Sequence, residues 1–418
     1  MRNSYKDRTI RILIPNATSP RNLGDQITLS VLIDLIRKNI KNANITIHSN
    51  DPHLYKKTRS YKVYHTLYSW AVFEKRNAAV RMLRLLWLAA NFIELRFDLK
   101  LLALFNIKTK LDELILDYKS ADLIIFADGG YLRAKKGLTQ SLNLLMNLFI
   151  FHFAKQFRAK KIVGPISFGP FYSNWQEKLT AAVLDNLDLV ATREKYSYQH
   201  LKKYNINNLI SAYDYGILAS ANKNKKTKNK KLILAYTIRN WLEGENQKKF
   251  ETAFVGAIAK FANETGSKVL PIVHTDAPMY GEDDSSLTTK IAWKLSKYKV
   301  KVMNMGKTAD LKTITNKLSK ADLLLGMRMH SNILAAVNNI PFVAISYEYK
   351  TEGIASDLGM RKFCIKCNLV TKDKLYKLLI EAKNKRFDLR RNLNTLIKYI
   401  RNREDRRWGQ LINKIVYE

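Results

Sequence analysis

Residues 321–350 constrain the fold of this chain most, because their pattern alternates between strand, helix and strand over a short distance. The apolar run 321–326 is typical of a buried parallel strand, and the run 340–346 predicts the next one. Between them, Ser331 is predicted to be the N-cap of a short helix over 332–339. The segment therefore predicts a βαβ unit of an α/β protein.

Two polar residues fall at the turn of this unit. Arg328 and His330 are predicted to lie in the loop at the carboxyl end of the first strand, at the start of the helix. Ligands of open α/β sheets bind at that edge. An arginine beside exposed helix N–H groups favours an anion, and a histidine can transfer protons.

The same alternation recurs through most of the chain and predicts an α/β fold with two Rossmann-like domains around one cleft. We expect an N-terminal domain over 1–220, with a basic helical insertion at about 54–118. A Lys-rich linker is expected at 221–231, a second domain at 232–371 and a basic helical tail at 372–418.

The net charge of +36 favours anionic partners such as phosphorylated substrates, acidic lipid or nucleic acid. Codon usage biased towards Asn and Lys is an alternative cause. The insertion at 54–118 is a basic amphipathic stretch that either lies on an anionic membrane or packs on its own domain or on a partner subunit. No known nucleic-acid motif accompanies the charge, so no nucleic-acid partner is expected.

The first residues lack the apolar core of a signal peptide, and no uninterrupted apolar run is long enough to span a bilayer. These observations predict a cytoplasmic protein, with peripheral binding to the inner face of the membrane as an option.

Several common site motifs are absent from the sequence. It contains no Gly-x-Gly-x-x-Gly, no Walker A sequence, no Asp-x-Asp and no His-x-x-x-His. Dinucleotide, P-loop and metal–diphosphate chemistry therefore lose support, and we expect neither a metal nor a cofactor.

Further polar and glycine residues follow other predicted strands. In chain order they are Asn22, Gly24, Asp25, Asp128, Gly129, Gly130, Arg193, Asp214, Arg239, Tyr347 and Lys350. Each residue by itself is weak evidence for a functional site. Residues at the carboxyl ends of parallel strands, however, are expected to share one edge of a sheet.

In order and spacing, these pieces resemble the polysaccharide pyruvyl transferase family. The resemblance extends from the first strand to about residue 360 and includes Asn22-Leu23-Gly24-Asp25, Asp128-Gly129-Gly130, Gly164-Pro165-Ile166-Ser167-Phe168-Gly169-Pro170, Thr192-Arg193-Glu194 and Arg328-Met329-His330. It implies a GT-B-like arrangement of the two domains. It also implies phosphoenolpyruvate as the donor, bound by the second domain, and a sugar hydroxyl pair as the acceptor, joined as a pyruvate ketal. The acceptor that the resemblance implies is a cell-surface polysaccharide or its precursor, in some members lipid-linked.

The residue types suit that chemistry. Arg239 and Arg328 are predicted to hold the donor's carboxylate and phosphate, because guanidinium groups bind both with two hydrogen bonds. His330 is the candidate acid or base. Asp25 and Asp128 are predicted to orient or deprotonate the acceptor hydroxyls, and Lys350 to meet the leaving phosphate.

The other candidate substrate-binding residues are Arg193, Asn22, Gly24, Gly129 and Gly130. Structural roles stay open: Arg328 in an ion pair, His330 or Asp25 as a helix cap, the two adjacent glycines in a tight turn, and Arg193 as a surface charge.

Two other functions also stay open. A GT-B glycosyltransferase that uses a nucleotide sugar would have the same fold. A non-catalytic protein that binds acidic lipid or nucleic acid is supported by charge alone.

Overall fold

The structure, a computed structural model, describes residues 8–55, 60–72, 77–97, 110–127, 129–221, 231–277, 282–305 and 311–417. The chain divides into two compact units. The first comprises Met1–Pro20, Leu32–Asp214 and Arg406–Glu418, and the second Arg21–Val31 and Tyr215–Asp405. Residues 222–230 of the expected Lys-rich linker lie outside the described residues.

The described part of the first unit contains a sheet of eight parallel strands. They are β1 (Ile10–Ala17), β2 (Ala43–Ser49), β3 (Lys62–His65), β4 (Leu123–Phe126), β5 (Gly129–Ala134), β6 (Lys160–Phe171), β7 (Leu189–Thr192) and β8 (Leu209–Ser211). Their order is β3-β2-β1-β4-β6-β7-β8, with β5 also paired to β6. β4 and β7 are buried at every position, as expected for strands covered by helices on both faces.

The helices in this part of the chain are α1 (Leu23–Asn39), α2 (Leu67–Val72), α3 (Ala78–Phe97), α4 (Lys110–Ser120), α5 (Leu138–Ala154), α6 (Asn174–Leu184) and α7 (Lys195–Lys202). The expected insertion is not helical throughout, because β3 lies within it and pairs with β2. The alternating pattern of β3, with exposed Lys62 and Tyr64, is that of a half-buried edge strand.

The second unit has a five-stranded parallel sheet among its described residues. Its strands are β9 (Ile233–Thr237), β10 (Lys268–Pro271), β13 (Leu323–Gly326), β14 (Phe342–Ser346) and β15 (Cys364–Lys366), in the order β10-β9-β13-β14-β15. A short antiparallel ribbon joins β11 (Asp276–Ala277) to β12 (Glu282–Asp283). The two parallel sheets confirm the predicted α/β fold with two Rossmann-like units.

The remaining helices are α8 (Gly244–Thr265), α9 (Ser285–Lys297), α10 (Leu311–Leu318), α11 (Met329–Val337), α12 (Tyr349–Asp357), α13 (Lys372–Asn384) and α14 (Arg386–Tyr417). The first part of the tail packs on the second unit, since α13 contacts α8, whereas Arg406–Glu418 belongs to the first unit. Among the described residues, no helix combines the length and apolarity needed to cross a membrane.

The start of α11 differs from the prediction. Arg328, not Ser331, occupies the N-cap position, so His330 lies in the first helical turn rather than in a loop. Ser331 is inside the helix, where its Oγ donates to the Arg328 carbonyl over 2.6 Å. A second hydroxyl explains the earlier start, because Thr237 Oγ1 accepts the Met327 N–H at 3.2 Å and holds the chain at the end of β13.

Candidate active site in the second unit

The candidate site lies at the carboxyl ends of four adjacent strands. Arg239 follows β9, His274 follows β10, Arg328 and His330 follow β13, and Lys350 follows β14. Because β10, β9, β13 and β14 are neighbours in the sheet, these residues share one edge. Ligands of open parallel sheets bind at such an edge.

The loop before α1 joins this edge. Arg21–Val31 belongs to the second unit, although the expected boundary at residue 220 put these residues in the first domain. The Leu23 N–H donates to the His274 carbonyl at 3.4 Å, and Asn22 forms a bridge with Thr275. The Asn22 carboxamide oxygen accepts the Gly24 N–H at 3.1 Å and so shapes the loop.

Gly24 lies directly against His330. A Cβ atom at position 24 would stand 2.2 Å from His330 Nδ1 and 2.7 Å from its Cε1. Real Cβ atoms do not approach that closely, so any side chain here would displace the imidazole. The glycine therefore lets the start of α1 and the start of α11 meet, and the predicted residues Gly24 and His330 are brought together.

His274 was not among the predicted site residues. Its ring lies 6.3 Å from the His330 ring, centre to centre, in a stacked arrangement. It is buried, and within the described residues its Nε2 has no hydrogen-bond partner. Burial, followed by the charges of Arg328, His330 and Arg239, lowers the His274 pKa well below its usual value.

Burial and the nearby guanidinium groups of Arg328 and Arg239 thus keep His274 neutral near pH 7. Its position just after an apolar strand was the signal in the sequence that could have identified it.

Arg328 is held by an acidic partner. Its Nε and Nη2 donate to the two carboxylate oxygens of Asp284, at 2.9 and 2.6 Å. Both side chains are buried, and the Thr275 N–H also donates to Asp284. The open alternative for Arg328, an ion pair, is therefore the contact that the structure describes.

Arg239 has a different environment. Its guanidinium lies 5.3 Å from the Trp241 ring centre and 5.0 Å from that of Tyr347. Its Nη1 donates to the Tyr347 hydroxyl at 3.3 Å. Lys350 pairs with Glu348 in the neighbouring loop, with 2.6 Å between Nζ and Oε2.

Arg193 belongs to the first unit and is buried, so it is not a surface charge. Its Nη1 lies 3.0 Å from Asp214 Oδ2, and its Nε donates to Ser167 at 2.7 Å. Ser197, from the following helix, accepts the Phe168 N–H at 2.7 Å. These motif residues form one buried polar network that ties β6 and β7 to the chain after β8.

The remaining predicted residues have varied positions. Asp25 is half-buried in the first turn of α1 and is not its cap, because the helix begins at Leu23. Gly129 and Gly130 begin β5 rather than a tight turn, and a Cβ atom at Gly129 would meet the Tyr131 ring at 2.5 Å. Asp128 lies outside the described residues.

No group of three His, Cys, Asp or Glu side chains in the described part of the chain is arranged to hold a metal ion. The residues at this edge include arginine and histidine side chains and the backbone N–H groups at the start of α11. Such groups bind anions and transfer protons.

Comparison with known proteins identifies a family and a fold. A family model described as polysaccharide pyruvyl transferase matches residues 22–349, which is most of the chain. Among solved structures, sucrose-phosphate synthase from Thermosynechococcus elongatus has a TM-score of 0.57 at 12% identity, covering 97% of this chain and 99% of that chain. A putative UDP-N-acetylglucosamine 2-epimerase from Listeria monocytogenes has a TM-score of 0.55 at 10% identity, covering 93% and 91%. These likenesses concern the fold, which is that of GT-B glycosyltransferases and related epimerases, as predicted.

Proposed function

The chain belongs to the polysaccharide pyruvyl transferase family, an enzyme family, and from this premise we propose that it transfers a pyruvyl group from phosphoenolpyruvate to a sugar. The acceptor would be a cell-surface polysaccharide or its precursor, and the products a pyruvate ketal and phosphate. The contact between His330 and Gly24, at a sheet edge that carries Arg239, is the observation that best supports this function.

Arg239 is the best candidate for binding the donor. Phosphoenolpyruvate carries a carboxylate and a phosphate, and both suit the planar guanidinium. Trp241 and Tyr347 flank this guanidinium, so little side-chain freedom would be lost on binding. The N-terminus of α11 at Met329 adds a favourable dipole for an anion.

Arg328 would act indirectly, without binding the donor. Its pairing with Asp284 leaves its charge near His274 but uses two of its N–H groups. We propose that it supports the positive potential of the site and that Lys350, after a rearrangement away from Glu348, meets the leaving phosphate.

Ketal formation requires a balanced series of bond changes. A proton adds to the terminal carbon of the enol while one sugar hydroxyl loses its proton and forms a C–O bond at the central carbon. Phosphate then leaves with its C–O bond electrons, and the second hydroxyl closes the ketal and loses its proton. His330 would deliver or accept these protons, assisted at the hydroxyls by Asp25 and, as the sequence predicts, Asp128.

The cellular location proposed from charge is the cytoplasmic face of an anionic membrane. α3 exposes Met82, Leu83, Leu86 and Ile93, and its Phe92 packs on Phe149 of α5. α5 exposes Leu138, Leu142 and Leu145, and the start of α6 exposes Trp175. We name these eight exposed side chains the apolar face. Residues 129–176 contain no Asp or Glu but seven Lys and Arg, which suits an anionic lipid surface.

The function is tested by incubation with phosphoenolpyruvate and a panel of neutral oligosaccharides, with nucleotide sugars as rival donors. The expected result is a product mass that corresponds to a pyruvate ketal, together with stoichiometric release of phosphate. Transfer of a sugar from a nucleotide donor, with none from phosphoenolpyruvate, would assign the chain to glycosyl transfer instead.

A further inference from the structure

A cavity of about 250 Å³ opens at the carboxyl ends of three adjacent strands in the first unit. Asn16 belongs to β1, Asn50 follows β2 and Thr66 follows β3. α5 contributes Asn143 and Asn147 to the opposite wall. As in the second unit, this is the edge of a parallel sheet at which ligands bind.

The lining of this cavity is uncharged. None of the described residues that line it is Lys, Arg, Asp, Glu or His, in a chain whose net charge is +36. Tyr68 and Tyr131 are its titratable residues, and burial raises the pKa of Tyr68, so that its hydroxyl keeps the proton. A dianion such as phosphoenolpyruvate would gain no ion pair here, and a polar neutral ligand suits the lining better.

In three of the asparagine side chains that line the cavity, one end of the amide group makes a hydrogen bond within the protein. Asn16 Oδ1 accepts the Ala127 N–H at 2.8 Å, and Asn50 Oδ1 accepts from Thr66 at 2.8 Å. Asn147 Nδ2 donates to the Tyr131 carbonyl at 3.3 Å. These bonds orient the amides and leave the opposite end of each available, which provides both donors and acceptors.

Sugar hydroxyls also donate and accept, so they match such a wall. We propose that this cavity binds one neutral sugar ring of the acceptor glycan, with Asn143 and Asn147 bonding its hydroxyls. The proposal rests on the proposed function, and it adds the part of the chain that binds the acceptor and the chemical class that it selects. The volume is below the roughly 300–1,000 Å³ of sites for drug-sized ligands and suits a single ring.

A larger cavity of about 420 Å³ in the same unit is the weaker candidate. It lies at the amino ends of β1, β4 and β6, where Arg8 and Asp122 form an ion pair of 2.6 Å. Parallel sheets bind ligands at the other end.

The test measures neutral sugars and the donor separately. Saturation-transfer NMR with a panel of methyl hexopyranosides reports sugar binding, and calorimetry with phosphoenolpyruvate reports donor binding. Asn143→Ala and Asn147→Ala remove one amide each, and Met146→Trp fills the cavity. Gln140→Ala, on an exposed turn of α5 outside the cavity, is the matched control.

The wild-type protein and the control are expected to bind at least one neutral glycoside. Each amide variant should lose about 2- to 10-fold in glycoside affinity, Met146→Trp should abolish glycoside binding, and donor affinity should stay the same. Binding of no neutral glycoside by the wild type, or equal binding by folded variants, would overturn the proposal. Failure of the wild type to bind phosphoenolpyruvate would instead count against the proposed function and leave the sugar result interpretable.

Discussion

His330 is the single residue on which turnover should depend most. Proton transfer by a placed side chain typically contributes about 100- to 10,000-fold to rate, so His330→Ala should reduce kcat by that order while phosphoenolpyruvate still binds. His330→Gln keeps hydrogen bonding but cannot transfer a proton, and it should be equally inactive. Rates are measured by phosphate release, and near-normal ketal formation by the Gln variant would remove His330 from the chemistry.

Gly24 is expected to matter only through His330. Gly24→Ala would place a methyl group within 2.2 Å of the imidazole and should lower kcat much more than it lowers donor affinity. The matched control is Gly256→Ala in α8, where the new Cβ atom would meet only the flexible Lys372 side chain at 3.2 Å. An unchanged kcat in Gly24→Ala would show that the ring position is not required.

His274 predicts how stability depends on pH. Its folded-state pKa is below the unfolded value of about 6.5, so the unfolded chain binds the extra proton as pH falls. This residue should therefore lower the free energy of unfolding as the pH falls from 7.5 to 5.5. Melting temperatures of His274→Asn should fall less over that interval than those of wild type, while exposed His53→Gln should behave as wild type. Parallel pH curves for His274→Asn and wild type would contradict the assignment.

At the scale of structural elements, Arg239 and Arg328 follow β9 and β13, and the sequence predicts the same donor-binding role for both. Arg239→Ala should weaken phosphoenolpyruvate binding by about one to two orders of magnitude, because charge-assisted hydrogen bonds contribute about 1.5–3 kcal/mol. Arg328→Ala leaves Asp284 buried without its partner and should cost about 3–5 kcal/mol of stability.

Calorimetry for the donor and thermal melting for stability separate the two arginines, and the double variant Arg328→Met/Asp284→Leu tests the structural role. It should recover much of the lost stability, since it leaves no buried unpaired charge. If Arg328→Ala is as stable as the wild type and only loses donor affinity, then Arg328 binds the donor directly.

At the scale of the whole molecule, the charge and the apolar face together predict reversible binding to anionic vesicles. About 1 kcal/mol per Lys or Arg near the surface, with Leu138 and Trp175 inserted, suffices for co-sedimentation that salt weakens. Leu138→Ser/Trp175→Ser should reduce binding, whereas Trp293→Ser, an exposed tryptophan in the second unit, should not. Equal sedimentation with neutral vesicles, or none at low salt, would assign the charge to another partner.

The sequence by itself determined the fold class and the family, because both depend on local patterns. Apolar runs such as 321–326 indicate buried strands, and the order of short motifs such as Arg328-Met329-His330 along the chain indicates the family. The predicted start of α11 was wrong by three residues. The hydroxyl that holds this start belongs to Thr237 of β9, which is far away in the sequence although β9 and β13 are neighbours in the sheet.

Only the tertiary structure decided what each candidate residue contacts. The sequence could not pair Arg328 with Asp284, Arg193 with Asp214 or Gly24 with His330, because these contacts join residues far apart in the chain. Nor could it show that Asn16, Asn50 and Asn147 line one cavity, since a lone asparagine carries no signal. The local sequence pattern indicates burial and secondary structure. The partner of a polar side chain depends instead on the spatial order of the strands in the sheet.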